Sequence, residues 1–447
     1  MAPARERRPR SMSQYELLRS ERFAPLFYTQ FFGAFNDNVF RFALIIFVTF
    51  TVAERTGVDT RMLVVLTGGI FILPFFLFSA LAGQIADRYE KSRLIRRIKT
   101  TEIFVMGLGA AGFWLGDLYF LLTVLFLMGT QSTFFGPLKY AILPQHLKEN
   151  ELTGGNGLIQ MGTYVAILLG GVCGGMLAGV DDLGPGLVIV AVIMLAVLGR
   201  LSAGYIPPAA PSAALMRIDL NPGRSTVRIL RDAAGEREVF TIILLISGFW
   251  FVGATYLSVV PTFGKELLNA DAQAVTLLNA AFTVGIGTGS LLCERFSRAR
   301  IELGLVPPAA LGLALASFDV FLAGTPRASS DTLSLSTFLF YGPAVRTFID
   351  LCLIGACGAL FIVPLYASLQ VRVAGPRCAR MVAALNVSNA LFMVVSALFT
   401  MGLYSLGVSI PGVFLIVGIL IIAAMLVGIA AMPEFGERSR AILRWRR

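Results

Sequence analysis

Apolar positions gather along this chain into twelve long runs, near 24–52, 62–85, 98–116, 118–143, 156–179, 185–206, 239–263, 272–293, 301–323, 348–370, 381–406 and 411–432. Polar and charged residues fall mostly in the connections between them. A helix needs about 20 apolar residues to cross the hydrocarbon of a bilayer. In hydrocarbon the backbone must satisfy its own hydrogen bonds, so a helix is the expected form of each run. The pattern predicts an all-α membrane protein with twelve transmembrane helices. Glycines and prolines dot several runs, as membrane bundles tolerate. The first run is too long for a cleavable leader and carries Asn36-Asp37-Asn38 where a leader would be purely apolar.

Composition narrows the function classes. Of 447 residues 56% are hydrophobic and only 14% charged, against about 25% charged in an ordinary soluble chain. A water-soluble enzyme is excluded for want of a charged coat. One histidine, His146, leaves no histidine cluster for a metal. The five cysteines are scattered without a CxxC pair, so neither a disulfide framework nor a metal site is expected, and no cofactor. The formal charge of +10 is sorted by topology. With the N-terminus placed in the cytoplasm, 31 of the 37 Lys and Arg residues fall on that side and 5 on the other, with Arg41 inside the first run. Such a split predicts both termini inside, with contact to anionic lipid rather than to nucleic acid.

The stretch 207–238 is polar, holds four prolines and five arginines, and parts the runs six and six. The expected organisation is a cytoplasmic tail at 1–22, a six-helix half at 23–206, a cytoplasmic linker at 207–238, a second half at 239–432 and a cytoplasmic tail at 433–447. An internal repeat supports the division. Asp87-Arg88-Tyr89 with Lys91 and Arg93 recurs as Glu294-Arg295-Phe296 with Arg298 and Arg300, at a constant offset of 207. Pro137-Leu138-Lys139-Tyr140 at the end of the fourth run is matched by Pro364-Leu365-Tyr366-Ala367 in the tenth. Asn156 and Asn386 open the fifth and eleventh runs. Parallel repeats of this kind mark one transporter architecture, with a pseudo-two-fold axis along the membrane normal.

The charged loop Gly83-x-x-x-Asp87-Arg88-x-x-Lys91-x-Arg93 is the most specific motif. Its glycine lets helices approach, and Asp87 can cap the next helix or pair with a cation of its own loop. A charge lock of this kind holds one conformation and releases it in another. The loop resembles the signature of the major facilitator superfamily, and the second copy at Glu294, Arg295 and Arg298 strengthens the resemblance. These residues are the expected conformational latch.

Asp37 lies over ten residues into the first run, about 15–20 Å deep at helical rise. A carboxylate there is costly unless paired, hydrated or protonated, and marks a function by default. Two readings stand open: a ligand or ion contact facing a central cavity, and an Asp37–Arg41 pair four residues apart serving structure. Lys139 sits between Pro137 and Pro144, either holding a phosphate as a point charge or reaching to the interface. Gly170-Gly171-Val172-Cys173-Gly174-Gly175 reads as close helix packing, and also resembles the superfamily's antiporter motif, with Gly171 where proline is usual. His146 and Glu151 echo a lipid acyltransferase pair in the wrong spacing and with the wrong acid, so no enzyme is expected.

Phe31-Phe32-Gly33-Ala34-Phe35-Asn36-Asp37-Asn38, Gly83-Gln84-Ile85-Ala86-Asp87-Arg88, the block Gly136 to Gln145 and Gly154-Gly155-Asn156-Gly157-Leu158-Ile159 together resemble the lysophospholipid transporter family, especially the transporter half of bacterial transporter–acyltransferase fusions. The likeness is densest from residue 23 through the fifth run. It implies flipping of lysophosphatidylethanolamine or lysophosphatidylglycerol across the bacterial inner membrane to the cytoplasmic leaflet by alternating access. Reacylation would fall to a separate acyltransferase. On this reading Asn36, Asp37, Asn38, Arg41, Lys139, Tyr140, Asn156, Gln160, Trp250, Tyr256, Asn386 and Asn389 line the substrate path. Asp37 would attract an ammonium, and Lys139 or Arg41 a phosphate. The seventh and eleventh runs hold no acid or arginine. The runner-up is a proton-coupled exporter of lipophilic drugs or cations with Asp37 as the proton carrier. A third is a non-transporting scaffold of transporter fold.

Overall fold

The computed structural model describes residues 14–47, 60–180, 183–297, 300–324, 332–373 and 375–444. Its long helices are α1 (Ala24–Phe47), α2 (Thr60–Arg88), α3 (Lys91–Leu115), α4 (Leu118–Ala141), α5 (Leu152–Ala178), α6 (Gly184–Gly204), α7 (Arg237–Thr262), α8 (Ala272–Ser297), α9 (Val306–Ala323), α10 (Gly342–Arg372), α11 (Cys378–Ser405) and α12 (Ile410–Ala431). Ten of them are long and apolar enough to cross a membrane. The other two, α1 and α3, have the length but carry more polar residues. The lone β pairing among the described residues is a single bridge between Ala270 and Leu333.

Helix ends follow local chemistry more closely than hydropathy. The apolar pattern begins a third run at 98, yet α3 starts at Lys91, because the Glu90 side chain accepts from the amides of Ser92 and Arg93 and caps it there. The helix ends at Gly116, whose φ of 65° suits glycine, and Asp117 caps α4 at once by accepting from the Phe120 amide at 3.0 Å. The Asp87 carboxylate therefore does not cap the next helix, contrary to the sequence expectation; Glu90 does.

Glycines set how closely the helices pack. On α5, a Cβ at Gly170 would meet the Phe35 carbonyl oxygen at 2.8 Å and one at Gly174 would meet that of Val39 at 2.5 Å. Those glycines are the seat of α1. Gly285 and Gly289 of α8 play the same part against Cys352 and Ala356 of α10. In the connection between α6 and α7, expected as plain linker, lies an amphipathic helix, Pro222–Ala234, capped by Asn221 and burying Ser225, Ile229 and Ala233. Gln84 of α2 accepts from the Asp219 amide at 2.8 Å and holds this segment down.

Both described ends of the chain lie at one end of the bundle, with that linker. Gln14 donates its amide to Glu294 at 3.1 Å, and Arg438 of the closing helix Glu434–Arg444 donates to the Ile301 carbonyl at 3.1 Å. At this linker end α2 and α11 approach closely, a Cβ at Gly83 standing 2.6 Å from that of Ala383.

Candidate functional site

The first polar cluster lies among α1, α3 and α4. Successive residues of α1 point three ways. Asn36 donates to Glu102 Oε1 at 3.1 Å, Asp37 Oδ2 accepts from the Ser132 hydroxyl at 2.6 Å, and Asn38 Nδ2 bonds back to the Ala34 carbonyl at 2.7 Å. The second Asp37 oxygen is buried and has no hydrogen-bond partner among the described residues. Arg41 does not clasp Asp37. It donates to Asn38 Oδ1 at 2.9 Å, and its guanidinium lies over the rings of Phe42 and Phe71. Asp37 is still close enough to Glu102, Lys99 and Arg41 to feel their charge.

On α3, three residues apart, Lys99 and Glu102 form an ion pair at 2.5 Å with side chains 1% exposed. Gln131 of α4 donates to the same Glu102 at 2.9 Å. Sequence reading passed over both: Lys99 counted among the cytoplasmic loop charges, and Glu102 sat unremarked in the third run. Two opposite charges one helical turn apart at an apolar boundary were the available signal. Lys139 of α4 extends over the ring of Tyr140, 4.9 Å from its centre, and makes no ion pair among the described residues. It is half-buried and lies within electrostatic reach of Asp37 and Lys99.

The second cluster joins the two groups of six helices. The Tyr140 ring stacks on Tyr366 of α10 with centroids 4.6 Å apart and planes 14° from parallel. Gln160 donates to the Tyr140 hydroxyl at 3.1 Å. The Tyr366 side chain lies among Tyr140, Gln160, Trp250 and Asn389. Trp250 stacks on Tyr164 at 6.2 Å, and Asn389 shares a 2.9 Å hydrogen bond with Ser247. Asn156 and Gln370 exchange two hydrogen bonds, of 2.7 and 3.1 Å, across the gap between α5 and α10. Asn386 fills the space beside Gly136, where a Cβ would come within 2.8 Å of its amide nitrogen. Tyr256 is elsewhere. It packs inside the last six helices, its hydroxyl 2.6 Å from that of Ser317 and its ring stacked on Phe414.

The third cluster is the charged loop. Asp87 is fully buried and reaches the other six helices: it accepts from the amides of Ala379 and Arg380 at 3.1 and 3.3 Å and from Arg380 Nε at 3.0 Å. It thus caps α11 and pairs with a cation of α11, where sequence reading had looked within its own loop. Gly83 allows this, since a Cβ there would lie 2.6 Å from that of Ala383. Lys91 is buried and holds the linker through the Ala210 carbonyl at 3.0 Å and the Ser212 hydroxyl at 2.8 Å. Arg88 lies over the Tyr89 ring and Arg93 faces Glu90 at 3.8 Å, so neither spans the two groups. Arg295 is exposed, and Arg298 lies outside the described residues.

Residues 26–349 match the sequence profile of the Major Facilitator Superfamily. The chain belongs to this superfamily. Membership makes it a multi-pass membrane transporter rather than an enzyme. Curated relatives of this superfamily member include the lysophospholipid transporter LplT of Klebsiella pneumoniae, 28% identical over 412 residues that cover 92% of this chain and 94% of the relative. LplT of Serratia proteamaculans is 28% identical over 388 residues, covering 85% and 87%. The superfamily fold is shared with the human organic anion transporter MFSD10, at a TM-score of 0.68 and 15% identity over 91% of this chain and 99% of that one. It is shared too with the E. coli fucose:proton symporter FucP, in a point variant, at 0.64 and 15% over 92% and 98%.

Proposed function

We propose that the protein carries lysophospholipids across the bacterial inner membrane toward the linker end, which faces the cytoplasm, as substrate for a separate acyltransferase. In this reading all twelve long helices span the bilayer in two six-helix halves that rock about the interior. The clusters at Tyr140–Tyr366, Asn156–Gln370 and Asp87–Arg380 close the cytoplasmic exit and part in turn. The likeness to lysophospholipid transporters over most of both chains supports the substrate class, and the excess of Lys and Arg in the linker-end loops supports the orientation.

The observation that carries the proposal is a carboxylate with one oxygen held and the other bare. Ser132 fixes Asp37 Oδ2, while Oδ1 is buried and unpartnered. A buried carboxylate without its bonds is expensive, and the ammonium of an ethanolamine head supplies the missing donors. Lys139, which makes no ion pair among the described residues, suits the phosphate. The touching rings of Phe31 and Phe32 on α1, neither of them fully buried, offer the acyl chain an apolar surface. The exporter reading gains little from the fifth-run glycines, since Gly170, Gly171 and Gly174 are occupied in packing against α1.

Asp37→Asn tests the proposal. Uptake of labelled lysophosphatidylethanolamine into spheroplasts is expected to fall to background at unchanged expression; uptake at the wild-type rate would remove Asp37 from the mechanism. Flux of lysolipid in proteoliposomes, with and without ion gradients, tests the activity itself.

A further inference from the structure

The Lys99–Glu102 pair is the most deeply buried ion pair among the described residues, and the proposed transport does not yet use it. Burying two charges is seldom a gain in stability over well-packed apolar side chains. The surrounding sequence nevertheless makes room for it. Gly33 of α1 leaves a hole in which Lys99 Nζ sits, 2.2 Å from where a Cβ would stand. The same ammonium lies 4.9 Å from the centre of the Phe135 ring.

What Glu102 does with its two oxygens is specific. Oε1 takes Asn36, the neighbour of Asp37 on α1. Oε2 takes both Lys99 and Gln131, and Gln131 is the neighbour of Ser132 on α4. Ser132 in turn donates to Asp37 at 2.6 Å and has Gln131 Oε1 as a second acceptor at 3.2 Å. A single hydroxyl proton cannot serve both, and the shorter contact takes it. One carboxylate on α3 therefore ties α1 to α4 at the level of Asp37, through the chain neighbours of Asp37 and of the Ser132 that holds it. Lys99 neutralises that carboxylate, so Asp37 does not face a second uncompensated negative charge.

We propose that Lys99 and Glu102 are a positioning pair that sets head-group specificity: they hold the Asp37 carboxylate in register with Lys139, so that a zwitterionic ethanolamine phosphate meets both charges at once. The inference rests on the lysolipid reading above and deepens it. A glycerol head offers hydroxyls in place of an ammonium and does not depend on the aim of a carboxylate. Loss of the pair therefore weakens handling of lysophosphatidylethanolamine more than of lysophosphatidylglycerol.

The test is the double variant Lys99→Met/Glu102→Gln, which removes the pair and leaves the net charge unchanged, assayed in proteoliposomes with each lysolipid separately. The expected result is a fall of roughly tenfold in the ratio of lysophosphatidylethanolamine to lysophosphatidylglycerol transport, the worth of one charge-assisted contact. A purely structural role lowers both substrates in proportion and leaves the ratio at the wild-type value, which overturns the proposal. If the double variant does not fold, Glu102→Asp keeps the charge and shortens the reach, and the same ratio is read from it with the same two outcomes. Wild-type protein that moves neither lipid overturns the lysolipid reading and this inference with it; wild-type transport with an unmoved ratio sinks only the inference.

Discussion

The charged loop occurs twice, and its two acids do different work. Asp87 is fully buried, accepts three hydrogen bonds from the start of α11 and pairs with Arg380. Its own carbonyl is taken by the amides of Ser212 and Ala213 in the linker. Glu294, in the second copy, is only half-buried; it lies beside Gly154 at the start of α5 and accepts from the backbone of Gln14. No cation pairs with it among the described residues. The contact between α5 and α8 is instead made by backbone, with the Ser290 carbonyl oxygen 2.8 Å from where a Gly157 Cβ would stand, and the nearby charge pair is Arg22 with Glu151. One copy of the motif is an ionic clasp desolvated by the linker. The other is a plain helix contact with the N-terminal segment laid across it. Similar residues at one spacing thus differ in strength according to what packs over them, because burial decides how much a charge pair is worth.

The largest effect is expected at Asp87. Asp87→Asn leaves Arg380 without its partner at the buried junction, and loss of one member of a buried pair costs about 3 kcal/mol. That shifts a two-state balance by roughly a hundredfold. Transport is expected to collapse, and cysteine accessibility at the linker end to rise; unchanged accessibility would deny Asp87 its clasp. Gly83→Ala comes next. The added methyl meets the Ala383 methyl at 2.6 Å and backbone of α11 at 3.0 Å, neither of which can swing aside. Strain of about 1–3 kcal/mol is expected, read as a lower melting temperature in detergent and weaker transport. The paired change in the second copy, Gly154→Ala, meets only the Glu294 carboxyl carbon and Gln14 Cβ at 3.2 and 3.3 Å. The carboxyl is the end of a flexible side chain and the Gln14 contact is looser than any at Gly83, so the melting temperature should move by less than half of the Gly83→Ala shift. Smallest of all is Glu294→Gln, which keeps an acceptor for the Gln14 amide; transport within about twofold of wild type is expected for a hydrogen bond retained in kind. A defect as deep as that of Asp87→Asn would show the two loops to be equal locks.

Legibility followed the range of the interaction. Helices were readable because hydrocarbon leaves a backbone no other way to satisfy itself; the third run's start was misplaced, where the Glu90 cap acts over two or three residues. Asp37 and Lys139 stood out as charges inside apolar runs. Glu102 was in plain view in the third run, but its meaning lies in Asn36, 66 residues away, and in Gln131, 29 away. Gln370, 214 residues from Asn156, carried no mark of its role. Tyr256 shows the opposite error: a polar aromatic in the seventh run whose hydroxyl is satisfied by Ser317 within the helical core.

Alternation of greasy and polar segments, the doubled loop and the lone acid of the first segment dictate a helical membrane carrier and where to look inside it, since each depends on one stretch of chain in contact with its solvent. Which partner every charge meets was decided by packing. Arg380 rather than a loop cation closes on Asp87, Ser132 rather than Arg41 holds Asp37, and Lys99 is drawn into the interior rather than left at the surface. Those choices turn on distances between helices far apart in the chain, and only the folded bundle sets them.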